Sequence, residues 1–261
     1  MFAVKVLHME DEHYRSIKTN FFNIKQLKHE NIIKYKALYL NPKQRLCHLV
    51  MEYLPYPKLR QGCGENTLRM VFYHLLDALT YLHHRKICHR DIKPDNILAD
   101  TALGTIKIID FGVSKNMKLR GRYEEMLTNT GTPFYKAPEM FLGGSYTEKI
   151  DSWAAGVTLY ELIAGRTPFE SEYHSDTIFN ITNREPEFSE EDFSSFSPLA
   201  KDLISRLLKK KPSERLSCEE AKKHLWFLPH LEDVDLMKSA RFGLREEADF
   251  NWLMERRSSL N

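Results

Sequence analysis

Residues 87–98 read ICHRDIKPDNIL, with apolar residues at both ends and His89, Arg90, Asp91, Lys93, Asp95 and Asn96 between them. Short apolar runs normally cross a core without collecting so many charges. The residue types suit one kind of chemistry. A carboxylate and an amide oxygen brought together form a hard-oxygen site of the kind Mg2+ accepts, with water and phosphate completing the shell. A second carboxylate can take a proton from an incoming hydroxyl, and a lysine beside it can lean toward an anionic group in flight. Those are the requirements of phosphoryl transfer, where positioning and charge neutralisation do most of the work. Asp91, Lys93 and Asn96 supply three of these groups, and Asp110 in IIDFG supplies the remaining carboxylate.

The elements that must position these groups are legible. Ile97–Ala99 and Ile106–Ile109 read as short strands, and DTALG between them marks a hairpin. In an antiparallel hairpin the start of the first strand lies beside the end of the second. Asn96 and Asp110 therefore converge at one end, with Asp91 close by. Upstream, Phe2, Val4 and Val6 alternate with Ala3, Lys5 and Leu7 as in a strand, and Ile17, Phe21, Ile24 and Leu27 share one face of a helix over 14–28. Strands Ile32–Leu40 and Leu46–Tyr53 follow, separated by the turn signal NPKQ, and LPYP marks a boundary. Beyond it the spacing predicts helices over 67–84 with Thr67 as N-cap, over 151–164 capped by Asp151, and from Ser197-Pro198 onward. Ser217 and Glu220 have the form of a capping box.

Composition narrows the class. At 261 residues with 42% hydrophobic and 28% charged residues, the chain has the make-up of a soluble globular protein. Its net charge of +2, from 38 basic and 36 acidic residues, gives no electrostatic case for nucleic acid or an anionic membrane. Lys209–Lys211 reads as the solvated end of a helix. WAAGVTLYELIAG is too short to span a bilayer and carries Glu161, so no membrane insertion is expected. Cys47, Cys63, Cys88 and Cys218 form no C-x-x-C pair, which speaks against zinc or a disulfide framework and for a reducing, cytoplasmic setting. Lys5, His8, Glu10 and Asp11 speak against a signal peptide.

Taken together, the motifs resemble those of a eukaryotic protein kinase of the serine/threonine type. HRDIKPDN is similar to the catalytic loop and DFG to the magnesium-binding motif. GTPFYKAPE resembles the end of the activation segment, DSWAAG the start of the central helix, and PSERL the segment whose Arg215 pairs with Glu139. AVK resembles the third-strand motif that holds the ATP lysine, and the flavour is closest to the calcium/calmodulin-dependent group. The resemblance covers about residues 1–228. It implies an α+β, bilobal protein kinase-like fold with an incomplete N-terminal β lobe over 1–54, a mainly helical C-terminal lobe over 55–228 and an extension over 229–261. It also implies ATP and Mg2+ as cofactors. Asp91 would orient or deprotonate the acceptor hydroxyl and Lys93 would stabilise the γ-phosphate, with Asn96 and Asp110 as metal ligands. Lys5 would pair with the α/β-phosphates, while Ala3, Met51, Glu52, Leu54 and Leu98 would surround adenine. Lys93 with Thr132 points to Ser/Thr substrates. Arg90 would need an anion, which a phosphorylated Thr128 supplies better than Thr130. Phe111, His89, Ile24 and Tyr35 would form a spine, Asp151 would brace the catalytic loop, and Trp153 is core.

Two departures stand out. The family's glycine-rich loop has no counterpart, because the sequence begins at the third-strand motif, and GCG at 62–64 sits on the wrong lobe. The helix position expected to carry the glutamate partner of Lys5 is Asn20, which can hydrogen-bond but brings no charge. One expectation is a shortened form of an active kinase acting on protein substrates. The other is a pseudokinase kept as a protein-binding scaffold. An uncovered sheet edge and apolar face would call for a partner or a homodimer. Phe250, Trp252, Leu253 and Met254 give the extension the look of a short amphipathic helix.

Overall fold

The computed structural model describes residues 1–8, 14–102, 104–111, 115–116, 133–143 and 146–229, with the side chains of 14–16, 19, 20, 115 and 116 outside the described set. Thr128, Thr130, Thr132, the extension from residue 230 onward and the side chain of Asn20 thus lie outside the described residues.

The small lobe is a three-stranded antiparallel sheet, with β1 (Phe2–His8), β2 (Tyr35–Asn41) and β3 (Leu46–Glu52) in the order β1-β3-β2. Helix α1 (Tyr14–Lys25) packs on it through Phe21 and Ile24, both buried, with Leu27 just beyond the helix end. The period-2 pattern identifies β1, but not which face turns inward. Phe2, Val4 and Val6 are 62%, 54% and 51% exposed. Ala3, Lys5 and Leu7 point the other way, and Leu7 lines a small apolar cavity of about 50 Å3 with Ile17, Phe21 and Cys47. In β1, then, the face with the bulkier residues is the outer one, and Lys5 comes from the inner one.

The large lobe is built around α2 (Glu65–His84) and α3 (Lys149–Ala164). The predicted stripe of α2 is its buried face, but the helix starts earlier than expected. Gly64 occupies the N-cap, so Thr67 falls inside the first turn. Glu65 instead ties α2 to distant parts of the chain, accepting from Ser197 N (2.8 Å), Ser197 Oγ (2.5 Å) and Trp226 Nε1 (2.6 Å). Asp151 likewise caps nothing, since α3 begins two residues before it. Helix α3 is buried nearly all round. Its Gly156 lets α6 (Pro198–Leu207) approach, because a Cβ there would stand 2.8 Å from Leu207 Cβ. The capping box of α7 (Cys218–Lys222) is present as read, with Ser217 and Glu220 bonding reciprocally. Shorter helices α4 (His174–Asn183) and α5 (Glu190–Phe193) complete this lobe.

Backbone hydrogen bonds join the lobes. Ile33 N donates to Ile108 O (3.0 Å) and Ile108 N to Asn31 O (2.8 Å). Lys107 Nζ meets Glu52 Oε1 at 3.0 Å on the hinge side. In the large lobe, wholly buried Arg215 forms a two-pronged pair with Glu139, at 2.8 and 2.9 Å, and also donates to the carbonyls of Lys149, Lys209 and Lys210. Removing one partner of such a pair strands the other charge away from water. Arg215→Met is therefore expected to destabilise the chain by about 3–5 kcal/mol, read as a lower urea midpoint with an unchanged slope; a loss under 1 kcal/mol would show that the pair contributes no more than a surface bridge.

Candidate active site

The loop that carries Asp91 is positioned from below by one carboxylate. Asp151, wholly buried, accepts from His89 N (2.9 Å) through Oδ2 and from Arg90 N (2.8 Å) through Oδ1. His83, at the end of α2, meets Oδ2 at 2.8 Å. Burial alone would raise the Asp151 carboxyl, yet the His83 bond, aided by the nearby His89 and by Arg90 N, holds it below its ordinary value. Burial opposes a charge on His83, but Cys218 and Asp151 outweigh it and lift its pKa to about 10. His83 gave no motif signal. A histidine ending an otherwise apolar buried stripe was the available clue.

His89 itself is kept neutral by burial. Its Nδ1 accepts from Asp91 N (3.3 Å), so Nε2 carries the proton and donates to Ile109 O (3.1 Å). Its ring sits 4.7 Å from that of Phe111, which meets Tyr35 edge-on at 6.2 Å. The Tyr35 hydroxyl accepts from Phe111 N (3.3 Å), and burial pushes its pKa up to about 12, so it stays neutral. The aromatic column thus carries hydrogen bonds between lobes as well as ring contacts.

On this frame, after the two-residue strand β4 (Ile87–Cys88), the predicted hairpin forms from β5 (Ile97–Asp100) and β6 (Thr105–Ile108), with Ile97 opposite Ile108. Ile109 N donates to Asn96 O (2.9 Å), which extends the ladder to the residue before Asp110. The Asn96 amide nitrogen donates to Asp91 Oδ2 and to Asp91 O, both at 2.7 Å. Its Oδ1 is left to accept. Lys93 Nζ meets Asp91 Oδ1 at 2.9 Å, and about a third of each side chain remains open to solvent. Lys5 Nζ reaches across from β1 to Asp110 Oδ2 at 2.6 Å. The motifs assign Lys5 to phosphates and Asp110 to metal; here the two are joined directly.

Two backbones in this region are strained. Arg90 (φ 72°) and Asp110 (φ 62°) occupy the left-handed region that non-glycine residues rarely adopt. Each costs on the order of 1–3 kcal/mol, and such residues cluster at functional sites because the surroundings over-determine them. The Asp151 contact to Arg90 N is the visible cause at the first. The Arg90 guanidinium lies 4.9 Å from the Tyr146 ring, and its buried Nε has no hydrogen-bond partner among the described residues.

The residues expected around adenine flank the hinge. Ala3 pairs with Met51 across β1 and β3, Met51 is buried, and Leu54 and Leu98 are half-buried. Glu52 is already engaged on two sides: its N donates to Lys34 O (3.0 Å) and its carboxylate accepts from Lys34 N (2.9 Å) and Lys107. Among the described residues no cluster of three His, Cys, Asp or Glu side chains forms a metal site. Asn96 and Asp110 offer amide and carboxylate oxygens, the donor type that suits a Mg2+ ion keeping several waters and taking its remaining ligands from phosphate.

The protein kinase domain family matches residues 1–227, and the chain belongs to that family. It is similar to Serine/threonine-protein kinase SRK2E of Arabidopsis thaliana, 34% identical over 90% of this chain and 66% of that protein, so it spans just under two thirds of that relative. Aurora kinase C of Mus musculus is 38% identical over 80% of this chain and 74% of its own length. Among solved structures, the autoinhibited serine kinase domain of the giant muscle protein titin superposes with a TM-score of 0.75 at 26% identity, over 87% of this chain and 71% of that one. The fold is the protein kinase fold, with a small sheet-bearing lobe and a helical large lobe.

The His83–Asp151 pair makes a pH prediction. His83 has a folded pKa of about 10, above the ordinary 6.5. A raised folded pKa means that the native state binds the extra proton, so its stabilisation is complete below pH 6.5 and fades as pH rises toward 10. Melting temperature should fall across that window, and His83→Gln should flatten the fall. An identical pH profile in wild type and His83→Gln would show that the pair does not set this dependence.

Proposed function

We propose that this chain transfers the γ-phosphate of ATP to serine or threonine hydroxyls of protein substrates. The supporting observation is the Asp91 carboxylate, held from two sides by Lys93 and Asn96 yet still open to solvent. A carboxylate so fixed can accept or orient a hydroxyl proton. Lys93 is placed to follow the transferring group, and Ala3, Met51 and Leu98 form the apolar setting for a base. Asn96 and Asp110 would hold Mg2+, whose chemistry is to neutralise charge on the phosphates. Four free cysteines agree with a reducing, cytoplasmic setting, and no described helix is long and apolar enough to cross a membrane. The calcium/calmodulin-dependent flavour rests on the motifs alone.

A second reading has an observation of its own. Lys5 is bonded to Asp110, so the lysine meant for phosphate occupies the metal carboxylate. With Asn20 in place of an acid on α1, a scaffold that binds proteins without turnover is the rival. One assay decides. With radiolabelled ATP and Mg2+, serine or threonine peptides should gain phosphate and tyrosine peptides should not. Asp91→Asn should lower the rate by about 10²–10⁴-fold. Asn20→Glu, by drawing Lys5 off Asp110, should raise it several-fold. No incorporation in either wild type or Asn20→Glu would favour the scaffold.

Two further features support a reading of regulation and assembly. The Arg90 Nε, which has no partner among the described residues, is the group a phosphorylated Thr128 would satisfy. Among the described residues β1 has one unpaired edge and an outer face with Phe2, Val4 and Val6, where a partner chain or a second copy would pair. Sedimentation should then give a mass above the monomer at micromolar concentration; a monomer that binds no apolar dye would overturn the proposal.

A further inference from the structure

The rim beside Asp91 has a charge arrangement that the catalytic chemistry does not use. Asp95 lies in the 3-10 turn Pro94–Asn96, whose last residue bonds Asp91. Lys58 Nζ meets Asp95 Oδ1 at 3.1 Å, and both terminal nitrogens of Arg60 meet the same oxygen at 3.2 and 3.1 Å. One carboxylate oxygen therefore holds two cations, both about half exposed or more, at 49% and 60%. The arrangement is not a chance meeting of loose side chains. Leu59 N donates to Ile97 O (2.8 Å) and Ala99 N to Pro57 O (2.9 Å), so the segment carrying Lys58 and Arg60 is hydrogen-bonded to β5.

Lys58, Arg60 and Asp95 together leave a surplus positive charge facing solvent. Glu161 stands near the same cluster, but its carboxylate is half-buried and accepts from the Tyr135 hydroxyl at 2.5 Å, so it is turned to that partner and not to the solvent that Lys58 and Arg60 face. Lys93 is engaged by Asp91. A peptide with its hydroxyl at Asp91 has this rim within reach, because four residues of chain span at most about 14 Å, and Asp95 is four residues from Asp91.

We infer that the rim selects substrates with an anionic residue, acidic or phosphorylated, within a few positions of the acceptor hydroxyl, and that it disfavours basic ones. This deepens the phosphotransfer reading and rests on it. A substrate carboxylate or phosphate meets the outward donors of Lys58 and Arg60, whereas a substrate arginine meets two cations already gathered on the acid it would need.

The test is fluorescence anisotropy of the full chain with labelled serine peptides of equal length flanked by Asp/Glu, by phosphoserine or by Lys/Arg, alongside phosphate incorporation into the same peptides. Anionic peptides should bind about tenfold more tightly than basic ones at low salt, since each exposed charge pair changes affinity by a few-fold, and the gap should shrink with added salt. The phosphoserine arm separates a preference for phosphate from one for any anion. K58E/R60E should invert the order, and Asp95→Asn should widen the gap in the original direction. Both act on exposed side chains, and unchanged melting curves would show that they fold. Basic peptides binding as tightly as acidic ones, or an order unmoved by K58E/R60E, would overturn the inference. Anionic peptides that bind preferentially while none gains phosphate would overturn the phosphotransfer reading and leave the charge selection standing.

Discussion

The buried carboxylate of Asp151 is the constraint on which the site depends. It takes the backbone N–H groups of two successive residues, His89 and Arg90, and so determines the direction in which the chain enters Asp91. Successive N–H groups converging on one anion force a bend, and the left-handed Arg90 backbone is that bend. Without a buried acceptor the strain would relax, because exposed N–H groups can turn to water. Burying the carboxylate is tolerable only because His83 and two N–H donors surround it. A charge that does no chemistry thereby positions one that can.

The same logic extends outward. Asn96 uses its amide nitrogen on Asp91 and its backbone oxygen on Ile109, so the β5–β6 hairpin, Asp91 and the segment leading to Asp110 share one rigid unit. Tyr35 and Glu52 link that unit to the sheet carrying Lys5. The Lys5–Asp110 contact then closes a chain of interactions from β1 to the hairpin. On the proposed reading, nucleotide binding would be a competition, in which a metal or a phosphate displaces one partner of this ion pair. With an uncharged residue at position 20, the other claimant on Lys5 is weaker than a carboxylate would be.

Much of the site was legible in the residues. Asp91, Lys93, Asn96 and Asp110 stand out because charged side chains rarely interrupt apolar strands, and the turn signal between the two strands dictates which ends meet. The capping box at Ser217 and the buried stripe of α2 were legible for the same local reason. Thr67 and Asp151 misled as caps, since capping residues look alike whether they bond their own helix or a distant chain. The outward face of β1 was equally hidden, because alternation reveals two faces and not which one meets α1. Similarity to serine/threonine kinases from plants and mouse places the motifs in a family without choosing among its branches.

By itself, then, the sequence determined the chemical inventory, the hairpin that gathers it and the family. Those depend on residue type and short-range spacing, which a linear string preserves. Only the tertiary structure decided that His83 partners Asp151, that Lys5 rests on Asp110, and that Lys58 and Arg60 share one oxygen of Asp95. Each of these pairs residues 35 or more positions apart. Their meeting depends on how helices and strands pack, and a charge takes the partner that packing brings within reach.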